Sequence, residues 1–117
     1  MGIFTHTYTI TETGGNVEDT ALVYEMPVGY GGVMELQVIN LPKQSFCYIT
    51  LWTTKGDSSD YNREGIIWEN YALFDAVAVI YDRFVLGSGE KVYCKVSKGK
   101  PNDKIVIQLK GFKERGA

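Results

Sequence analysis

The residues of this chain that are able to do chemistry are few, and their spacing limits each of them. His6 is the sole histidine. A cage of imidazoles around a metal is therefore excluded, and activation of a nucleophile by histidine has one candidate. His6 stands among threonines near the N-terminus, and the expected reading is a structural or solvent-facing ring. Asp57, Asp60, Glu64 and Glu69 gather around one polar stretch. Two carboxyls roughly 5–10 Å apart in a cleft would suit glycoside hydrolysis, but the same residues also keep a loop soluble, which is the simpler reading. Asp57-Ser58-Ser59-Asp60 lacks the spaced acids and the glycine of a calcium loop. Gly14, Gly15, Gly29, Gly31, Gly32, Gly87 and Gly89 all fall at expected turns, and none opens a helix that would cradle phosphate. No catalytic residue, cofactor-binding residue or metal ligand is assigned, so the chain reads as a non-enzyme without a cofactor.

Cys47 and Cys94 stand far apart, with no CxxC spacing. They are expected to be buried free thiols behaving as small hydrophobes, the other reading being a disulfide across two sheets. Lys91, Tyr93 and Lys95 share one face of an alternating segment, with Lys98, Lys100 and Lys104 nearby. Lysines interleaved with an aromatic suit single-stranded nucleic acid, but no arginine-rich groove accompanies them and the net charge is −2. Nucleic acid is not an expected partner. The charge is divided along the chain. Before Arg83, three bases stand against eleven acids, a net of −8; from Arg83 onward nine bases stand against three acids, a net of +6. Two readings are open: solvated strand surfaces, or a self-complementary pattern that orients neighbouring subunits.

These residues must be positioned by strands. A length of 117 residues suits one domain, taken as residues 1–117, with residues 1–12 either an N-terminal arm or a first strand. No apolar run approaches the roughly 20 residues that span a bilayer, so no membrane partner is expected. The first residues lack the basic and apolar regions of a signal peptide, and synthesis in a cytoplasm is the expectation. Gly2 and Thr5 only loosely match an acylation site.

Period-two alternation dominates, and no helix is expected. Residues 3–11 place Phe4, His6, Tyr8 and Ile10 on one face and threonines largely on the other. Residues 13–16 are a turn, residues 20–26 a second strand, and residues 28–32 a glycine-rich turn. Residues 33–41 put Met34, Leu36 and Val38 inward and Glu35 and Gln37 outward. After a connection at 41–45, residues 46–54 put Cys47, Ile49 and Leu51 on one face and Tyr48, Thr50 and Trp52 on the other. These two strands read as a hairpin. Residues 55–63 are an exposed loop, and 64–73 either a strand or an irregular covering segment. Residues 76–86 form a strand apolar enough to suggest burial on both faces for part of its length. Residues 87–90 are a tight turn. Residues 91–97 place Val92, Cys94 and Val96 inward and Lys91, Tyr93 and Lys95 outward. A turn at 98–103 leads to the last strand at 104–113. Eight strands spaced 8–14 residues apart make an all-β antiparallel sandwich, jelly-roll-like.

The order of motifs resembles that of small bacteriophage virion proteins built as β-sandwiches, found as head-decoration or tail-associated subunits. The likeness covers roughly residues 21–114. It begins with an extended segment ending in Pro-x-Gly, Leu22-Val23-Tyr24-Glu25-Met26-Pro27-Val28-Gly29. Next come the alternating Met34-Glu35-Leu36-Gln37-Val38-Ile39-Asn40 and the Trp-bearing Tyr48-Ile49-Thr50-Leu51-Trp52-Thr53. The most specific part is Phe84-Val85-Leu86-Gly87-Ser88-Gly89-Glu90-Lys91-Val92-Tyr93, followed by a final strand reaching Gly111-Phe112-Lys113-Glu114. The chain departs from the pattern in its aromatic segment from Trp68 to Tyr81. The resemblance implies a non-enzymatic virion protein, made in the host cytoplasm, that self-associates (a trimer is favoured) and attaches to other virion proteins of a capsid or tail. Candidate interface residues are Tyr30, Tyr48, Trp52, Trp68, Lys91, Tyr93 and Lys95, although the aromatics among them equally suit a core. The alternative function is a carbohydrate-binding module that stacks exposed aromatics on sugar rings.

Overall fold

The computed structural model describes residues 2–10, 21–40, 47–54, 65–73, 78–97 and 105–116. The turns expected at 13–16 and 98–103, the connection at 41–45 and the loop at 55–63 lie outside the described residues. Eight strands follow one another: β1 (Gly2–Ile10), β2 (Ala21–Glu25), β3 (Tyr30–Asn40), β4 (Cys47–Thr54), β5 (Ile66–Leu73), β6 (Ala78–Leu86), β7 (Lys91–Ser97) and β8 (Ile105–Arg115). The ambiguous segment at 64–73 therefore holds a strand. The strands form two four-stranded sheets, ordered β1-β8-β3-β6 and β2-β7-β4-β5, and every pairing is antiparallel.

A nested logic explains this order. β4 pairs with β5, β3 with β6, β2 with β7 and β1 with β8, as if one long hairpin had been laid out flat. Rolling that hairpin brings β8 against β3 and β7 against β4, which completes both sheets. The result is the eight-stranded jelly roll anticipated from the strand spacing.

Several local expectations change. β3 and β4 lie in different sheets and do not form a hairpin; the sequence-adjacent pair is β4 with β5. Gly31 and Gly32 belong to β3 and not to the preceding turn, because β8 continues to Arg115 and supplies partners for them. Gly32 suits that place: a Cβ there would run into the carbonyl oxygen of Phe112. The turn at 87–90 joins an edge strand of one sheet to an inner strand of the other. β6 is an edge strand, and Val85 on it is exposed, so the apolar run does not mean burial on both faces there.

The two corners at one end of the sandwich are tied together. The Met26 N–H donates to the Glu90 carbonyl at 2.9 Å, and the Gly89 N–H to that of Met26 at 3.1 Å. The Gly29 N–H donates to Ser88 Oγ, and the Gly87 N–H to the Glu90 carboxylate, both at 2.9 Å. Gly29 and Gly89 have φ of 89° and 73°, a region open to glycine at little cost. Arg83 also has a positive φ, of 60°. It sits where β6 bulges: Asp82 and Arg83 together stand opposite the single residue Glu35. Such a bulge twists an edge strand and blunts it against stray pairing.

The core follows from the alternation. Met34, Leu36 and Val38 from β3, Ile105, Ile107 and Leu109 from β8, and Leu86 from β6 meet Val23, Ile49, Leu51, Leu73, Val92, Cys94 and Val96 from the other sheet. All of the inward assignments made for described side chains of β3, β4 and β7 are met. Cys94 is a free thiol in this layer, and burial pushes its pKa up to about 12. The Cys47 side chain lies outside the described residues. Both cysteines lie in the same sheet, on β4 and β7, so a bridge across the two sheets was never geometrically on offer.

Three outcomes follow for stability. Leu109→Ala, at the centre of the buried layer, is expected to lose about 2–5 kcal/mol in urea unfolding. Gly111→Ala is expected to lose about 1–3 kcal/mol, because the added methyl meets the Val33 backbone, whereas exposed Thr7→Ala should move by no more than about 0.5 kcal/mol. Above pH 9 the unfolded Cys94 thiol ionises while the folded one stays protonated. The unfolded chain then binds fewer protons, and stability falls by up to about 1.4 kcal/mol per pH unit toward pH 12. Denaturant titrations across that range should show a shallower fall for Cys94→Val than for the unmodified chain.

Candidate functional site

The one histidine is used in the framework. On β1, the His6 Nε2–H donates to the Val23 carbonyl of β2 at 2.9 Å, so it joins an edge strand of one sheet to an edge strand of the other. Tyr24 packs beside it, with ring centroids 5.0 Å from His6 and 5.1 Å from Phe4. Burial raises the pKa of the Tyr24 phenol. At the end of the same layer, Lys113 Nζ stands 5.4 Å from the Phe4 ring centre and 5.6 Å from that of Tyr30, capping the core with a cation over two aromatic faces. Among the described residues no group of three or more His, Cys, Asp or Glu is placed to hold a metal. Of the loop carboxylates, Glu69 is exposed, while Asp57, Asp60 and Glu64 lie outside the described residues.

Six of the seven residues singled out from sequence lie in the sheet β2-β7-β4-β5, and Tyr30 opens β3 in the other. Register places Trp52 opposite Tyr93, Thr50 opposite Lys95 and Thr54 opposite Lys91. Trp52 and Tyr93 stack with centroids 6.0 Å apart and are only 1% and 8% exposed. Thr50 and Thr54 beside them are buried as well. The outward parity of these positions is as expected, but Trp52 and Tyr93 are covered and cannot meet a partner in this conformation. Trp68 is half-buried against the core and 5.1 Å from the ring of Tyr71, which is the more exposed of the pair. Tyr30, Tyr48 and Lys91 are half-buried, and Lys95 is exposed.

An open apolar row lies on the opposite sheet, at residues the sequence reading passed over. Ile3 stands opposite Phe112, Phe112 opposite Val33, and Val33 opposite Val85. One row thus crosses all four strands, β1-β8-β3-β6, and its members are 84%, 51%, 45% and 72% exposed in that order. Val33, Val85 and Phe112 line a shallow depression of about 550 Å³ with Gly31, Gly32 and Glu114. An adjoining depression of about 410 Å³ shares Val33 and Phe112 and adds Glu35, Arg83 and Lys110. Singly exposed apolar residues need no explanation, but a contiguous row rimmed by charges is the pattern of a contact surface. The available signal was parity: each of the four occupies an outward position next to an inward one, such as Val33 beside Met34 and Val85 beside Leu86. Aligning them required the register between strands nearly eighty residues apart.

No protein-family model matches the chain, and no curated protein matches it. Solved structures do. A chain in the acid-stable capsid of Helicobacter pylori bacteriophage KHP30 superposes with a TM-score of 0.57 at 11% identity, over 94% of this chain and 87% of that one. Chains from infectious bursal disease virus, Gx and Gt strains, match at 12% identity and a TM-score of 0.43, covering 97% and 99% of this chain but 37% and 36% of theirs. The phage likeness runs nearly end to end in both partners, and what it shows is the fold expected from the motif order: the chain shares the β-sandwich architecture of that phage capsid chain.

Proposed function

We propose that this chain is a non-enzymatic structural subunit of a virion, which self-associates and attaches to other virion proteins on a phage capsid or tail surface. The observation that carries the reading is the exposed apolar row Ile3–Phe112–Val33–Val85, set on the outer face of a rigid sheet in a sandwich shared with a phage capsid chain. A fold alone does not assign a role, so the row is the functional part of the argument. Rigid strands hold it with little ordering cost on association. The bridged sheet edges and the neutral, tightly paired core suit a part whose work is to keep its shape. Synthesis in the host cytoplasm and residence in the virion go with this reading. Three copies per assembly is the number favoured from sequence.

Carbohydrate binding finds less support. It relies on Trp52, Trp68 and neighbouring aromatics forming an open platform, but Trp52 and Tyr93 are covered and Trp68 is half-buried. Among the described residues, the exposed rings Tyr71 and Phe112 lie on different sheets.

Light scattering coupled to size exclusion, at low and high salt, tests the proposal. A discrete oligomer is expected, weakened but not abolished by salt, since screening acts on the charged rim and not on the apolar row. Phe112→Asp is expected to leave a folded monomer. A monomer for the unmodified chain at every concentration and salt would contradict self-association.

A further inference from the structure

The outer face of the β3–β8 seam has a property beyond its apolar row. Its cross-strand pairs are Val33 with Phe112, Glu35 with Lys110 and Gln37 with Gln108, and one row further Gly31 stands opposite Glu114. Each pair joins two residues that complement each other: apolar with apolar, acid with base, amide with amide, and a bare backbone with a long side chain. Consider a two-fold axis parallel to the strands, running above the seam midway between two facing sheets. It carries β3 of one copy onto β8 of the other, and each row onto itself. Phe112 then meets Val33 of the second copy, Ile3 meets Val85, Gln108 meets Gln37, and Glu35 meets Lys110 twice, once from each side. The rows of the β3–β8 seam are self-complementary about one axis, as an isologous contact requires.

We propose that the occupant of this face is a second copy of the chain, packed sheet on sheet about that axis. The inference rests on the self-association reading above and replaces a three-fold ring by a pair. It also locates the divided charge of the sequence, since Glu35 comes from the acidic part and Lys110 from the basic part. Facing sheets pack about 10 Å apart with strands turned by about 30°, so the central rows, Val33/Phe112 and Glu35/Lys110, carry the contact while the ends splay. Four strands about 4.8 Å apart over roughly nine residues give on the order of 550 Å² per copy, or about 1,100 Å² in total. With the ends splayed this is an upper bound, close to the roughly 1,000 Å² that specific interfaces need, so the pair should form reversibly with concentration.

Charge reversal tests the axis directly. Glu35→Lys makes both members of the central charged pair basic and Lys110→Glu makes both acidic, so in either homodimer like charges face each other twice. Sedimentation velocity is expected to show each variant associating at least tenfold more weakly than the unmodified chain. An equimolar mixture of the two should recover the dimer, because every facing pair is again acid with base. Variants that dimerise normally alone, or a mixture that stays monomeric, would overturn the two-fold arrangement while leaving self-association standing. A monomeric unmodified chain would instead remove the self-association reading itself. Should either variant fail to fold, carbodiimide coupling of mixed ¹⁴N- and ¹⁵N-labelled unmodified chains answers the same question. Mixed-label Glu35–Lys110 peptides are expected, and same-label peptides alone would overturn the proposal.

Discussion

Eleven consecutive residue pairs join β3 to β8, from Tyr30 opposite Arg115 to Asn40 opposite Ile105, and the other two pairings of that sheet, β1 with β8 and β3 with β6, build outward from that seam. Because side chains alternate across a strand, this one register decides two surfaces at once. Inward it stacks Met34, Leu36 and Val38 against Ile107 and Leu109; outward it aligns Val33 with Phe112 and Glu35 with Lys110. A slip of one residue would expose the core set and bury the charged one. Gly32 and Gly111 allow the close approach near its end, and Lys113, lying over Phe4 and Tyr30, closes the core there.

Seen this way, the structural and functional claims share a cause. β1 and β6 complete the sheet on either side of the seam and extend the apolar row to four residues. The bulge at Arg83 lies on the β6 edge and sits between Val85 and the upstream part of that strand. The second sheet contributes the opposite core wall and, on its other side, a buried stack of Trp52 on Tyr93. The molecule therefore offers its partners different things on its two sides, and the open apolar row belongs to β1-β8-β3-β6.

Much of the fold was legible in the sequence, because a half-buried strand writes its faces in period two. Val92, Cys94 and Val96, or Met34, Leu36 and Val38, needed no structure to be placed inward. Pairing was less legible. β3 and β4 look like a hairpin because a corner that crosses between sheets uses the same turn residues as one that reverses within a sheet. The candidate contact surface was hidden for two physical reasons. Trp52 and Tyr93 have outward parity, and parity carries no information about what covers a face. Val85 sits within an apolar run that reads as core, and only register across strands distant in sequence shows that it joins Val33, Ile3 and Phe112 in the open.

The central claim is that association buries the outer face of β1-β8-β3-β6. Hydroxyl-radical footprinting of the unmodified chain, below and above its association concentration, reads that face side chain by side chain. Phe112, Val33 and Ile3 should lose reactivity on association while Tyr71 and Leu22, exposed on the other sheet, keep theirs. Protection of Tyr71 and Leu22 with Phe112 unchanged would contradict the account and move the contact to the opposite sheet.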